Sequence, residues 1–252
     1  MRIGVIADIH GNLVALDAVL ANMAGQSLDQ LVCLGDVAVL GPNPAGVIAR
    51  LRELGCPNVL GNTDAWLLGS GAHEPTVSDS VVGLDLTAWT REQIDGDALA
   101  WLGDLPPVLT VGLGVAGTLI GGHGSPRSHE HVISALTPNA DLEVMFDGHE
   151  STLYVGGHTH IRLLRQTGDR LLLNPGSVGL PGVGPGTPDL PVNRDVAWAD
   201  YAIVGVSDGL IGVELRRVPL DVTRMIAAGR ACGMPHSDWW AARWADGPPT
   251  PG

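Results

Sequence analysis

The stretch that decides the fold is Arg2-Ile3-Gly4-Val5-Ile6-Ala7-Asp8-Ile9-His10-Gly11-Asn12, at the start of the chain. An apolar run of strand length breaks directly into a cluster of Asp, His, Gly and Asn. Near-continuous apolar runs of this length mark strands buried on both faces. The same grammar returns along the first two-thirds of the chain. DQLVCLG runs into Asp36, CPNVLG into Asn62, TLIGG into His123, TLYVGG into His158 and His160, and LLLNPGS closes the series. Helical segments separate the first pairs. Residues 12–24 place Leu13, Leu16, Leu20 and Met23 at helical spacing, with Asn12 as N-cap. Residues 44–55 open with Pro44 and end with Gly55, as helices tend to. Strand–helix alternation predicts an α/β sheet with its reactive groups at the carboxyl ends of strands. Every candidate polar group here sits at such an end.

Working outward, residues 65–107 read as an insertion: a Gly/Ser/His stretch, then two short helices in DLTAWTREQI and DALAWLGDLPP, stopped by Pro-Pro. A partial cap over the site and a plain surface pair are both open readings of it. Residues 181–194 form a Gly/Pro-rich loop. WADYAIVGV and IGVELRRV then read as antiparallel strands turning at Ser207-Asp208-Gly209. A helix is expected over residues 220–230. The Trp-rich turn in DWWAARWADGPPTPG is expected to pack back onto the body ahead of a Pro/Gly tail. The expected organisation is one domain over residues 1–220, with 65–107 inserted, and a C-terminal helical extension and tail over 221–252.

The bulk composition limits the function classes. At 252 residues the chain fits one large domain, and its 45% hydrophobic content supplies a core. No apolar run reaches the roughly 18 residues of a membrane span. The N-terminal run is too short for a signal peptide and leads straight into a polar cluster, so the expected location is cytoplasmic. The formal net charge of -13 disfavours stable binding to nucleic acid. All fourteen basic residues are Arg. Cys33, Cys56 and Cys232 are too few and too far apart for a disulfide framework or a thiolate zinc site.

The polar clusters read as metal ligands. Asp8 and His10 form D-x-H, and His158 and His160 form H-x-H. Residues two apart on a strand face the same side, so each pair can meet one ion. Asp36 follows Gly35, and a carboxylate has two oxygens with which to bridge cations. Asn62 follows Gly61 and offers a neutral amide oxygen. His123 lies between Gly122 and Gly124. Seven oxygen or nitrogen donors, one of them shared, fit two ions and not one. His73, His129, His131, His149 and His236 carry no motif and read as surface or packing residues.

The order D-x-H, G-D, G-N, G-H, G-H-T-H resembles the calcineurin-like metallophosphoesterase superfamily. Asp8-Ile9-His10-Gly11-Asn12, His123-Gly124-Ser125-Pro126-Arg127, Gly157-His158-Thr159-His160 and Asn174-Pro175-Gly176-Ser177 are similar to its small bacterial and archaeal phosphodiesterase branch. The resemblance implies a four-layer αββα sandwich. It implies a first ion on Asp8, His10 and His160, a second on Asn62, His123 and His158, and Asp36 as the bridge. The ions would share a hydroxide that attacks phosphorus in line. Manganese leads among the metals, with iron, zinc, nickel and cobalt also suiting a mixed imidazole–carboxylate set.

One position departs from the superfamily. There the Asn is usually followed by His, which helps protonate the leaving group, and then by Asp or Glu. Here Gly61-Asn62-Thr63-Asp64 puts Thr63 in that place. A hydroxyl can donate a hydrogen bond to phosphate but cannot act as an acid near neutral pH. The expected substrate is therefore a small phosphodiester, nucleotides included, or an ester with an activated leaving group. The alternatives are a phosphomonoesterase, including a dinucleotide polyphosphate or protein phosphatase, and a metal-retaining binding or regulatory protein without turnover. Asp36, Asn62, Thr63, Asp64 and Arg127 are the candidate catalytic residues. Arg127 reads equally as a partner for substrate phosphate and as a structural ion pair. The oligomeric state stays open.

Overall fold

The computed structural model describes residues 1–70, 80–182 and 197–244. Two β-sheets stack face to face. The first has the order β2-β1-β8-β9 and the second β3-β4-β5-β7-β6. In the first sheet, β1 (Arg2–Ile6) pairs in parallel with β2 (Gln30–Cys33) and antiparallel with β8 (Trp198–Ser207), which pairs with β9 (Leu210–Pro219). In the second, β4 (Thr118–Gly122), β5 (Leu153–Val155) and β7 (Arg170–Asn174) run parallel. The antiparallel edge strands are β3 (Val108–Gly112) and β6 (Leu163–Thr167).

Strand alternation divides the core into layers. Ile3 and Val5 of β1, with Ala7 just past it, point between the sheets, where they meet Val32, Leu34, Leu119, Leu153, Val155, Leu173 and Val204. Ile6 points the other way, into the helix-side core. On β5, Leu153 and Val155 face the sheet interface, whereas Tyr154 packs outward with Leu142 and Phe146 of α6 (Asn139–Phe146). Helices thus cover both outer faces, in the expected αββα sandwich, but unequally: among the described residues α6 alone packs on the second sheet.

On the outer side of the first sheet, α1 (Leu13–Met23) lies on β8 and β9, and it shares one core with α2 (Pro44–Leu54), α3 (Asn62–Leu67), α4 (Ser80–Gln93), α5 (Gly96–Gly103), α7 (Val222–Ala231) and α8 (Ser237–Ala242). Asn12 caps α1 by accepting from the Ala15 N–H at 3.1 Å. Leu16, Val19 and Met23 turn inward from that helix. In α2, Pro44 opens the first turn and Gly55 ends it at φ 60. Leu86, Ile94, Ala98 and Leu102 of the inserted helices join the same core. So do Trp240 and Trp244, both buried, as expected for a tail that packs back. His236 Nε2 lies 2.8 Å from Asp85 Oδ2 and ties the C-terminal segment to α4. Among the described residues no helix is long and apolar enough to cross a membrane.

Several features depart from the sequence reading. CPNVLG forms no strand; it makes one isolated bridge, Cys33 to Asn58. Strands β3 and β6 and helix α6 were not anticipated. An edge strand buries one face only, so β6 alternates (LLRQT) and lacks the unbroken apolar run that marks the inner strands. His73 and most of the Gly/Pro-rich loop over 181–194 lie outside the described residues.

Candidate metal centre

The parallel strands β1 and β2 of one sheet and β4, β5 and β7 of the other end on one side of the sandwich, and their loops are stitched together there. The Asp8 N–H donates to Gly35 O at 3.1 Å and the His10 N–H to Asp36 O at 2.8 Å. The Gly157 N–H donates to His123 O at 2.7 Å, and the Gly179 N–H to Asp8 O at 2.9 Å. The close approach explains the glycines before two candidate ligands. A Cβ on Gly35, at φ +87, would lie 2.6 Å from Gly61 N, and one on Gly61 would lie 2.1 Å from Asp36 Oδ1.

Asp8 and His10 meet in one place, whereas His160 joins them and His158 turns to Asn62, and neither arrangement comes from strand alternation. β1 ends at Ile6 and β5 at Val155, so Asp8, His10, His158 and His160 all lie beyond their strands. Asp8, His10, Asp36, His158 and His160 take φ of 55, 50, 53, 69 and 58. This left-handed region costs a non-glycine residue roughly 1–3 kcal/mol, and such strain gathers at functional sites. The side chains converge because the backbone is bent into a conformation it does not favour.

The convergence has two lobes. Asp8, His10, Asp36 and His160 offer donor atoms all within 4.8 Å of one another. Within that lobe, His10 Nε2 and His160 Nε2 are 3.0 Å apart, and His160 Nε2 is 3.6 Å from Asp8 Oδ1. In the other lobe, Asn62 Oδ1 lies 2.9 Å from His123 Nε2 and 3.0 Å from His158 Nδ1. Asp36 touches both: Oδ2 is 3.6 Å from His10 Nε2, and Oδ1 is 3.4 Å from His123 Nε2.

The donors fit metal ions. Three imidazoles place Nδ1 on a backbone carbonyl: His10 on Val39 O at 3.0 Å, His123 on Leu34 O at 2.7 Å and His160 on Leu180 O at 2.8 Å. That contact fixes the proton on Nδ1 and turns the Nε2 lone pair inward, the usual support of a ligating histidine. Two inward lone pairs 3.0 Å apart, on His10 and His160, repel unless a cation lies between them. Burial and then His10 push His160 down to about 3, and burial and then His123 push His158 down to about 4. His10 is also lowered, chiefly by burial. The neutral imidazole is the form that binds metal. Burial drives Asp8 up to about 8, and its Oδ2 is buried without a hydrogen-bond partner. Such a carboxylate calls for a cation. Against burial, His123 leads the imidazoles that hold Asp36 well below the usual carboxylate range, while Asp36 in turn raises His123 to about 10.

The remaining candidates fall elsewhere. The Thr63 N–H donates to Asp36 Oδ1 at 2.9 Å, and its buried hydroxyl makes no hydrogen bond. Asp64, expected among the catalytic groups, has both oxygens occupied by backbone: it accepts from Val37 N–H at 2.9 Å and from Gly61 N–H at 3.1 Å. It positions the loops that carry Asp36 and Asn62. Arg127 takes the structural alternative, with Nη1 3.1 Å from Asp147 Oδ2 and 3.4 Å from Val144 O at the end of α6. Two supporting residues had no assigned role in the sequence reading. Ser177 Oγ donates to Asp8 O at 2.7 Å, and Asn174 Nδ2 donates to Gly157 O at 2.6 Å. Their signal was the Asn174-Pro175-Gly176-Ser177 run at a strand end.

Comparison with known proteins identifies the family. The calcineurin-like phosphoesterase superfamily domain matches residues 1–189. An uncharacterized protein of Methanocaldococcus jannaschii is 30% identical over 228 residues, covering 88% of this chain and 89% of that one. The crystal structure of a metallophosphoesterase from Sphaerobacter thermophilus superposes with a TM-score of 0.73 at 27% identity, covering 97% of this chain and 99% of that one. A hypothetical protein from Pyrococcus horikoshii shares the fold, with a TM-score of 0.75 at 20% identity over 96% of each chain. The chain belongs to the calcineurin-like phosphoesterase superfamily, and is by that membership a hydrolase of phosphoester bonds.

Proposed function

We propose that the site holds two transition-metal ions and hydrolyses a small phosphodiester. The observation that carries this reading is the split of Asp36, with one oxygen directed to each lobe. In this reading Asp8, His10 and His160 hold one ion, Asn62, His123 and His158 hold the other, and Asp36 bridges. Manganese is the first expectation, and iron, zinc, nickel and cobalt suit the same donors. Bound there, the ions would polarise the phosphoryl oxygens and make water a nucleophile near neutral pH.

The chain's own residues do the rest. Carbonyls of Leu34, Val39 and Leu180 fix the imidazole tautomers. Asp64 and Ser177 hold the loops in register. Thr63 steadies the bridge through its backbone N–H, and its side chain is no acid. That favours substrates whose leaving oxygen needs little protonation, diesters and activated esters among them. Arg127 is spent on Asp147 and has no place in this mechanism.

The test is turnover of bis-p-nitrophenyl phosphate against p-nitrophenyl phosphate, each with Mn²⁺, Ni²⁺ and Zn²⁺. The expected result is preference for the diester. Preference for the monoester would make the protein a phosphomonoesterase. Two tightly bound ions with no turnover on either ester would make it a binding protein.

A further inference from the structure

We propose that Asn174 is a positioning residue: its side-chain amide clamps the turn that sends His158 and His160 to different lobes, and so completes the lobe that contains His158. The inference rests on the two-ion reading above. Side chains two apart on an extended strand share a side. Yet His158 Nδ1 lies 3.0 Å from Asn62 Oδ1, whereas His160 Nε2 lies 3.0 Å from His10 Nε2. The backbone between them has to rotate, and it does so in a γ-turn. The Thr159 N–H donates to Gly157 O at 2.8 Å across His158, whose φ is 69. The positive-φ form of this turn is the rare and strained one. The same turn directs the His158 N–H to Asp8 Oδ1 at 3.1 Å. One strained residue thus touches the first lobe with its backbone and the second with its ring.

Asn174 ends β7 and is buried. Its Nδ2 donates to Gly157 O at 2.6 Å and to Thr159 Oγ1 at 3.1 Å, the two ends of the γ-turn. Its Oδ1 accepts from the Gly176 N–H at 2.8 Å. That bond decides which way the amide points, since the reverse orientation would set oxygen against the Gly157 carbonyl. The clamp also continues the sheet. β5 and β7 pair as far as Val155 and Leu173, and the Gly156 N–H donates to Leu173 O at 2.9 Å. One residue further on, the backbone has turned away and a side chain takes over the pairing. Strained backbone persists where its surroundings over-determine it, and Asn174 supplies that at His158.

His158 depends on its turn more than the other imidazoles do. His10, His123 and His160 each have Nδ1 on a backbone carbonyl, which orients the ring. His158 turns Nδ1 to Asn62 instead, and among the described residues no carbonyl orients its ring. The first lobe has supports of its own, since Asp8 O accepts from the Gly179 N–H at 2.9 Å and from Ser177 Oγ at 2.7 Å. Loss of the clamp should therefore fall on one ion and spare the other.

The test loads Asn174→Ala with Mn²⁺ in the full chain and follows affinity by calorimetry and the ions by electron paramagnetic resonance. The parent should bind two ions per chain and give the signal of a coupled pair. The variant should hold one ion as the parent does and bind the other about 10- to 100-fold more weakly, the usual effect of removing the support of a ligating histidine. At one bound equivalent its spectrum should be that of an isolated ion. His158→Ala should weaken the same ion, and adding Asn174→Ala to it should cost no further affinity. Thr159→Val keeps the bond to Gly157 O and loses the hydroxyl half of the clamp; it should weaken the same ion by a few-fold, and it carries the test if Asn174→Ala fails to fold. A variant that keeps both affinities and the coupled pair, whatever its melting temperature, overturns the role. So does an equal loss at both ions, or full additivity with His158→Ala. A parent that binds fewer than two ions overturns the two-ion reading, and this role with it, before any variant is compared.

Discussion

The two lobes of the centre are built by different means. The Asp8, His10 and His160 lobe stands on loops forced into the left-handed region at all three positions. It has a carboxylate of its own besides the shared Asp36. In the other lobe only His158 has a positive φ. Asn62 opens helix α3, His123 directly follows β4, and the lobe has no carboxylate of its own. One lobe is strained and carries its own carboxylate; the other is relaxed at two of its three positions and carries none. A strained backbone persists only where its surroundings over-determine it. Here the parallel run of the two loops, Asp8 to Gly35 and His10 to Asp36, supplies that determination. The difference suggests that the charged lobe holds its ion harder.

The largest effect should come from the residue the lobes share. Asp36→Asn removes a charged donor from both ions at once. Taking one partner from a buried charge pair costs roughly 3–5 kcal/mol, so each ion should bind roughly 10²- to 10³-fold more weakly and turnover should vanish with them. Metal analysis of the purified variant together with the diesterase assay checks this; full activity would sink the bridging role.

A step smaller, the lobes should part company. Asp8→Asn takes a charge from one lobe, whereas Asn62→Ala takes a neutral donor from the other, worth about 1–3 kcal/mol. Each variant should lose one ion, and Asp8→Asn should show the larger rise in dissociation constant by calorimetry. Equal losses would erase the asymmetry of charge.

Strain can be tested without metal. His160→Gly loses the bond to Leu180 O but relieves a left-handed φ. His123→Gly loses the bond to Leu34 O and a fully buried ring, with no strain to relieve. In urea unfolding of the metal-free protein the second should be more destabilising by about 2 kcal/mol, the sum of strain relief and extra burial. Equal costs would mean that the left-handed turns store nothing.

The same contrast explains how much could be read beforehand. The candidate ligands are marked by residue type and order, so Asp8, His10, Asp36, Asn62, His123, His158 and His160 were legible as a set, and their side chains lie close together. The inner strands were legible because burial on both faces leaves an unbroken apolar run. The reason for convergence was not. Alternation on a strand accounts for D-x-H on paper, yet both residues lie past the strand end, and nothing in the letters Asp or His announces φ > 0. Asp64 was misplaced for a related reason. A buried carboxylate beside a ligand looks chemical until its two backbone N–H partners are seen. CPNVLG failed because an apolar run between a helix and a ligand loop can be buried with one bridge and no ladder.

The smallest expected effect concerns Thr63→His, at the relaxed lobe. Position 63 is buried, and its backbone N–H, which steadies Asp36, is kept by any residue except proline. An imidazole there adds an acid next to Asn62 without touching the candidate ligands. Rates on p-nitrophenyl phosphate should rise by about tenfold, below the full 10²–10⁴ of a well-placed acid because the ring must find its own position. Overpacking should lower stability by about 1–3 kcal/mol. Thermal denaturation and paired monoester assays separate the two effects, and an unchanged or lower monoester rate would count against a missing acid at position 63.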